Sequence, residues 1–159
     1  MSATEIFSAA VRREFQFLID EFGFVRTDDT KADKWGDLRH RYEVAGWYIA
    51  PVYNEYERAI NLEFGTNDYV GKRFTFHMYL GLVDPRTYYQ LGFGIANSDF
   101  DIEPLVHLYA TALRKSGSAI LARDMNVCQQ MIQAMELGEG MCPSFSEQPG
   151  ETKIVSRYV

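Results

Sequence analysis

Several chemistries are missing from this chain of 159 residues. Cysteine is scarce: Cys128 and Cys142 are the only thiols, and a domain of this size with an adequate core does not need a disulfide. Both are expected to be reduced. A zinc site needs about four ligands at characteristic spacings. Two separate cysteines, with His40, His77 and His107 scattered singly, do not supply them, and no metal or other cofactor is expected. No window approaches the roughly 20 apolar residues that span a bilayer. Met1 to Arg13 places Glu5 and two arginines inside an amphipathic pattern, which is not the uninterrupted apolar core of a secretory signal. A cytoplasmic protein without a membrane partner is expected. Basic residues are also few, 16 against 22 acidic, for a net charge of -6. That is the wrong sign for a phosphate-binding surface, so nucleic acid is not an expected partner.

What is present suits one globular domain. Apolar residues make up 47% of the chain and aromatics 14%, enough for a single core. Ser2 and Glu5 form a capping box. Phe7, Val11, Phe15, Leu18 and Phe22 then recur at helical spacing, which predicts an amphipathic helix from about residue 3 to 22. Gly23 is placed to stop it in a left-handed conformation, with Phe24 folding back on its last turn. Residues 27 to 36 form a polar connection with Trp35 as its only large apolar member and read as a surface loop.

The middle of the chain reads as strands. Ile60, Leu62 and Phe64 alternate with Asn61 and Glu63 in the segment from Arg58 to Phe64. The stretch from Arg39 to Tyr53 predicts one bent strand or two short ones, joined to it by a turn at Asn54 to Glu57. Arg73 to Leu82 repeats the alternation, with His77 and Tyr79 on its polar face. Tyr88 to Ala96 alternates too, although Gly92 and Gly94 interrupt it. The last third changes period. Pro104 opens a helix that ends near Gly117, and a second helical stretch from Ile120 has Asp124 as an internal cap. Gly138, Gly140, Pro143 and Pro149 predict an irregular tail over 138–159 after a single α+β domain at 1–137. The expected fold is therefore α+β: an N-terminal helix, an antiparallel meander of about four to five strands, and C-terminal helices packed on one sheet face.

No specific catalytic motif appears. Gly92-Phe-Gly94 lacks the third glycine of a phosphate loop, and Ser116-Gly-Ser118 reads as a helix break, not a nucleophile elbow. Asp99, Asp101 and Glu103 lack the central glycine and terminal glutamate of a calcium loop and suit a helix start. His77 beside Tyr79 is a candidate general base, yet it lacks a visible nucleophile or orienting carboxylate and reads first as a surface histidine. Met125, Met131 and Met135 at helical spacing read as core filling. The most unusual feature surrounds the hairpin turn, where Tyr48, Tyr53, Glu55, Tyr56 and Glu57 gather. Tyrosines with polar tips among acids suit recognition of a basic partner. Strand tyrosines packing on their neighbours are the plainer account.

The helix ending Phe22-Gly-Phe24, the meander, Leu108-Tyr-Ala followed by Leu113-Arg-Lys, and Ile120-Leu-Ala-Arg-Asp124 together resemble a loose group of small bacterial proteins, some of which look like immunity proteins of toxin systems. The likeness spans residues 6 to 130, and Arg123 stands where that group usually has glycine. It implies no catalytic residues. The expected function is a non-enzymatic interaction protein that neutralises a basic partner through Tyr53, Glu55, Tyr56 and Glu57. The alternative is a small-molecule binder or hydrolase that uses a helix-sheet cavity near His77 and Tyr79. A deep pocket with two or more converging polar groups around His77 favours the second; a flat aromatic and acidic patch with no pocket favours the first. Self-association through an exposed apolar face is a third expectation.

Overall fold

The computed structural model describes residues 1–28, 32–69, 72–137, 139–143 and 154–156. It is an α+β fold in which helices cover one face of a five-stranded antiparallel sheet. Helix α1, Ala3–Glu14, opens on the expected capping box: the Ser2 backbone N–H donates to Glu5 Oε2 at 2.7 Å and the Glu5 N–H to Ser2 Oγ at 3.3 Å. The anticipated single helix breaks at Phe15, where the bonding switches to a three-residue step, Leu18 N–H to the Phe15 carbonyl. Helix α2, Gln16–Asp20, follows. Gly23 is left-handed and the Phe24 N–H donates to the Leu18 carbonyl, closing the end as its glycine predicts.

Strand β1, Val25–Asp28, replaces the start of the expected polar loop. It is an edge strand beside β2, Asp37–Val44. Pairing supplies the hydrogen bonds that its polar composition does not advertise. Of that loop, Asp29, Thr30 and Lys31 lie outside the described residues. Strand β3, Trp47–Asn54, turns back through Ala45 and Gly46, and β4, Ala59–Thr66, through residues 55–58. The two-residue β5, Phe74–Thr75, completes the order β1-β2-β3-β4-β5.

Two expected strands are helices. Phe76–Val83 is α3 and Pro85–Leu91 is α4. Thr75 caps the first by accepting the Met78 N–H, and Asp84 caps the second by accepting the Thr87 N–H, with Pro85 in its first turn. Burial follows helical spacing: Phe76, Tyr79 and Leu80 are buried while Met78 and Leu82 are half-buried. Tyr79, expected on a polar strand face, lies in the core and donates its hydroxyl to the Ser116 carbonyl at 2.9 Å. Asp84 also accepts from the hydroxyls of Thr87 and Ser116, which ties the α3–α4 turn to the chain near Ser116. Only Ile95 of the expected strand at 88–96 pairs with the sheet, as a bridge to Ala59.

Helices α5, Ile102–Ser116, α6, Ser118–Leu121, and α7, Met125–Glu136, follow. Gly117 separates the first two, and Asp124 caps the third as expected. Strands β6, Glu139–Pro143, and β7, Ile154–Ser156, pair antiparallel within the tail; Pro149, Tyr158 and Val159 lie outside the described residues.

The core lies between the sheet and α1, α3 and α5. Phe7 stacks on Tyr53 at 5.5 Å between centroids, Phe15 on Tyr42 at 6.4 Å, and Phe64 meets Phe74 and Tyr79. Met131 and Cys128 are fully buried, and burial pushes the Cys128 thiol up to about 11. It is an inert packing residue. No helix among the described residues is long and apolar enough to cross a membrane.

Candidate functional site

The helices cover one face of the sheet, and the other face carries the polar half of each alternating strand. The β2–β3–β4 register sets Arg39, Val52 and Asn61 side by side, with Asp37, Asn54 and Ala59 in the next row. Arg39 organises this surface. Its guanidinium donates to Asp33 at 2.9 Å, Asp37 at 2.8 Å and Glu63 at 3.3 Å. Burial opposes its charge, but these carboxylates outweigh burial and hold it more firmly protonated than usual. Asn54 donates to Asp37 Oδ1 at 2.8 Å and accepts the Glu57 N–H, which fixes the turn over the end of the sheet.

A second wall comes from the segment after α4. The Ile60 N–H donates to the Gly94 carbonyl and the Ala96 N–H to the Arg58 carbonyl, both at 2.8 Å. The close approach requires glycine: Gly94 has φ of +66°, and a Cβ there would lie 2.3 Å from the Ile60 oxygen and 2.5 Å from the Tyr109 hydroxyl. Between this wall and the strands lies an open cleft of about 510 Å³ that reaches from Asp37 and Glu57 to His77, Tyr88 and Phe93.

His77 occupies the first turn of α3, not a strand. Its Nε2 lies 2.9 Å from the Gly92 carbonyl oxygen, which can only accept, so Nε2 carries the proton. Tyr109 donates its hydroxyl to the Ile60 carbonyl at 2.9 Å and sits 3.4 Å from the same nitrogen. Nδ1 is left as an acceptor. Burial pushes His77 below the usual histidine range, against the Gly92 hydrogen bond, which raises it. His77 is therefore neutral at pH 7. Burial likewise raises the Tyr109 hydroxyl.

The sequence-selected turn residues divide. Tyr53 is 1% exposed and stacked on Phe7, so its ring belongs to the core and is not available to a partner. Tyr56 is 76% exposed and leans on Gly36, while Glu55 and Glu57 are exposed. Only Glu57 of the four lines the cleft. Phe93, between two glycines, is 73% exposed at the same cleft. Asn61, Glu63 and Phe93 went unselected in the sequence; the available signal was two polar side chains two apart on a strand and a bulky ring between glycines. Elsewhere, His107 pairs with Glu14 at 2.8 Å, His40 is buried beside Ser8, Asp101 caps with Ser98, and Asp99 pairs with Arg58.

Among the described residues no serine, threonine, cysteine or lysine lines the cleft, and Glu57, Glu63 and neutral His77 are its proton acceptors. Among the described residues, no group of three or more His, Cys, Asp and Glu side chains is arranged to hold a metal. The cleft brings His77 together with Glu57, Asn61 and Glu63, the polar pocket that the sequence ties to the small-molecule alternative; of the exposed aromatics Phe93 borders it, and Tyr56 does not line it. No family model, curated protein or solved structure matches the chain.

Proposed function

We propose that the chain is a non-enzymatic interaction module that takes a positively charged segment of a protein partner into the cleft beside His77. The observation that carries this reading is the cleft's polarity. Among the described residues its unengaged charged groups, the Glu57 carboxylate and one oxygen of Glu63, are anionic, and Arg39 is already consumed by carboxylates. Exposed Phe93 and the nearby turn bearing Tyr56 add the aromatic contact area typical of interface centres. A toxin with a basic surface is the kind of partner that the likeness to immunity proteins implies.

Short-peptide display panned on the immobilised chain tests it. Basic sequences should be enriched and retained at physiological salt, and retention should fall on the Glu57→Gln/Phe93→Ala double variant with its melting temperature unchanged. Enrichment of neutral or acidic sequences, or equal retention by that variant, overturns the reading.

A free organic cation is a second reading, because a 510 Å³ cleft falls within the range of about 300 to 1,000 Å³ for small-molecule sites. Hydrolysis there would fall to water activated by Glu57, Glu63 or His77. Turnover of cationic esters or amides that is abolished by His77→Gln would establish it, and no turnover above buffer would remove it.

A further inference from the structure

We infer, resting on the interaction reading above, that the cleft selects a guanidinium over an ammonium, so that the residue inserted by the protein partner is an arginine. Four polar functions on residues that line the cleft have no partner among the described residues: the Glu57 carboxylate, Oε1 of Glu63, Nδ1 of His77 and Nδ2 of Asn61. Three of these accept hydrogen bonds. They stand on three separate elements, the 55–58 turn, β4 and the first turn of α3. An ammonium concentrates three donors on one strongly hydrated nitrogen and serves acceptors gathered at a point. A guanidinium spreads five donors around a rigid plane and is more weakly hydrated, which suits acceptors arriving from several directions. Asn61 Nδ2 is the one donor, and a peptide carbonyl beside the inserted arginine is the acceptor it fits.

The rings at the cleft give a second, independent criterion. Of the two rings that border it, Tyr88 is buried against His77 and Tyr89, and Phe93 exposes most of its surface. A planar guanidinium stacks on such faces while keeping its edge for hydrogen bonds, which an ammonium does not do. The chain treats its own arginines in both ways. Arg39 is forked among three carboxylates, and the guanidinium carbons of Arg41 and Arg114 lie 4.1 Å and 4.7 Å from the ring centroids of Tyr48 and Phe17. Charge does not forbid a second guanidinium near Arg39: Asp33, Asp37, Glu57 and Glu63 set four carboxylates against one guanidinium, a net charge of -3 with His77 neutral.

Isothermal titration with N-acetyl methylamides of arginine, lysine and citrulline, each also placed at the centre of the same short peptide, tests the selection. The arginine peptide should bind about tenfold tighter than the lysine peptide, with citrulline, the uncharged isostere, weakest. Phe93→Ala should narrow the arginine preference to about threefold or less, with the fold intact by circular dichroism. Equal binding of arginine and lysine overturns the selection and leaves the cationic reading standing. Citrulline matching arginine, or no binding by any cationic probe, overturns both. Capped arginine binding as tightly as its peptide overturns the protein-partner source.

Discussion

His77 Nε2 donates to the Gly92 carbonyl across 2.9 Å, fastening the start of α3 to the glycine that ends α4. Among the described residues, the groups against the ring are Tyr88 and Tyr109 in T-shaped contact and the Gly92 carbonyl, with no carboxylate in hydrogen-bond contact. Burial therefore sets the direction, and the folded protein binds this proton less readily than the unfolded chain, whose histidine titrates near about 6.5. Stability from His77 is complete above that value and declines as pH falls from it to the lower folded value. Urea midpoints measured from pH 7.5 to 5 should fall more steeply for the wild type than for His77→Gln. Parallel profiles contradict a buried neutral histidine.

The sheet-side wall of the cleft depends on Gly94 and Tyr109. Phenylalanine at position 109 leaves the Ile60 carbonyl without the tyrosine hydroxyl, at an expected cost of about 1 kcal/mol. Gly94→Ala adds a Cβ 2.3 Å from that same oxygen at a positive φ, and should cost about 2 kcal/mol or more. Urea denaturation separates the two, and an alanine variant as stable as the phenylalanine one contradicts the close approach.

Two tyrosines three residues apart should behave oppositely. Tyr53→Ala opens a cavity beneath Phe7, at a cost of about 3 to 5 kcal/mol. Tyr56→Ala changes stability by less than about 0.5 kcal/mol and weakens partner binding. Thermal melts with peptide titration check both, and a stable Tyr53→Ala variant contradicts the placement of that ring.

Arg39 offsets part of the negative charge of the cleft floor. Methionine there keeps the stem but leaves Asp37 and Glu63 facing each other without a cation. The expected loss is about 1 to 2 kcal/mol at pH 7 by urea denaturation. A variant as stable as the wild type contradicts the ion-pair role.

Legibility in the sequence tracks how local the physics is. The Ser2–Glu5 box, Gly23, the Asp124 cap and the alternation through Ile60, Leu62 and Phe64 are set by near neighbours, and the fold uses them as read. The segment from Phe74 to Leu82 misleads because nearly every position is apolar or aromatic, so period two and period 3.6 both fit. The deciding signals are polar: Thr75 as a cap, and Asp84 followed by Pro85. Strand β1 was hidden because an edge strand with one paired side needs little apolar content. The cleft lay beyond sequence reasoning because it joins β2, β4, the 55–58 turn and residues 92–93. Sheet pairing and the tertiary bonds of Gly94 to Ile60, Ala96 to Arg58 and His77 to Gly92 bring these together.

The most direct measurement is a proton-nitrogen correlation spectrum of the labelled chain titrated with an arginine-centred peptide. The largest shifts should fall on the Asn61 side-chain amide and on the backbone amides of Glu57, Gly92 and Phe93, with His77 Nδ1 moving in the matching nitrogen spectrum. Shifts centred on the α1–α5 face, or none at saturating peptide, would contradict the cleft as the binding site.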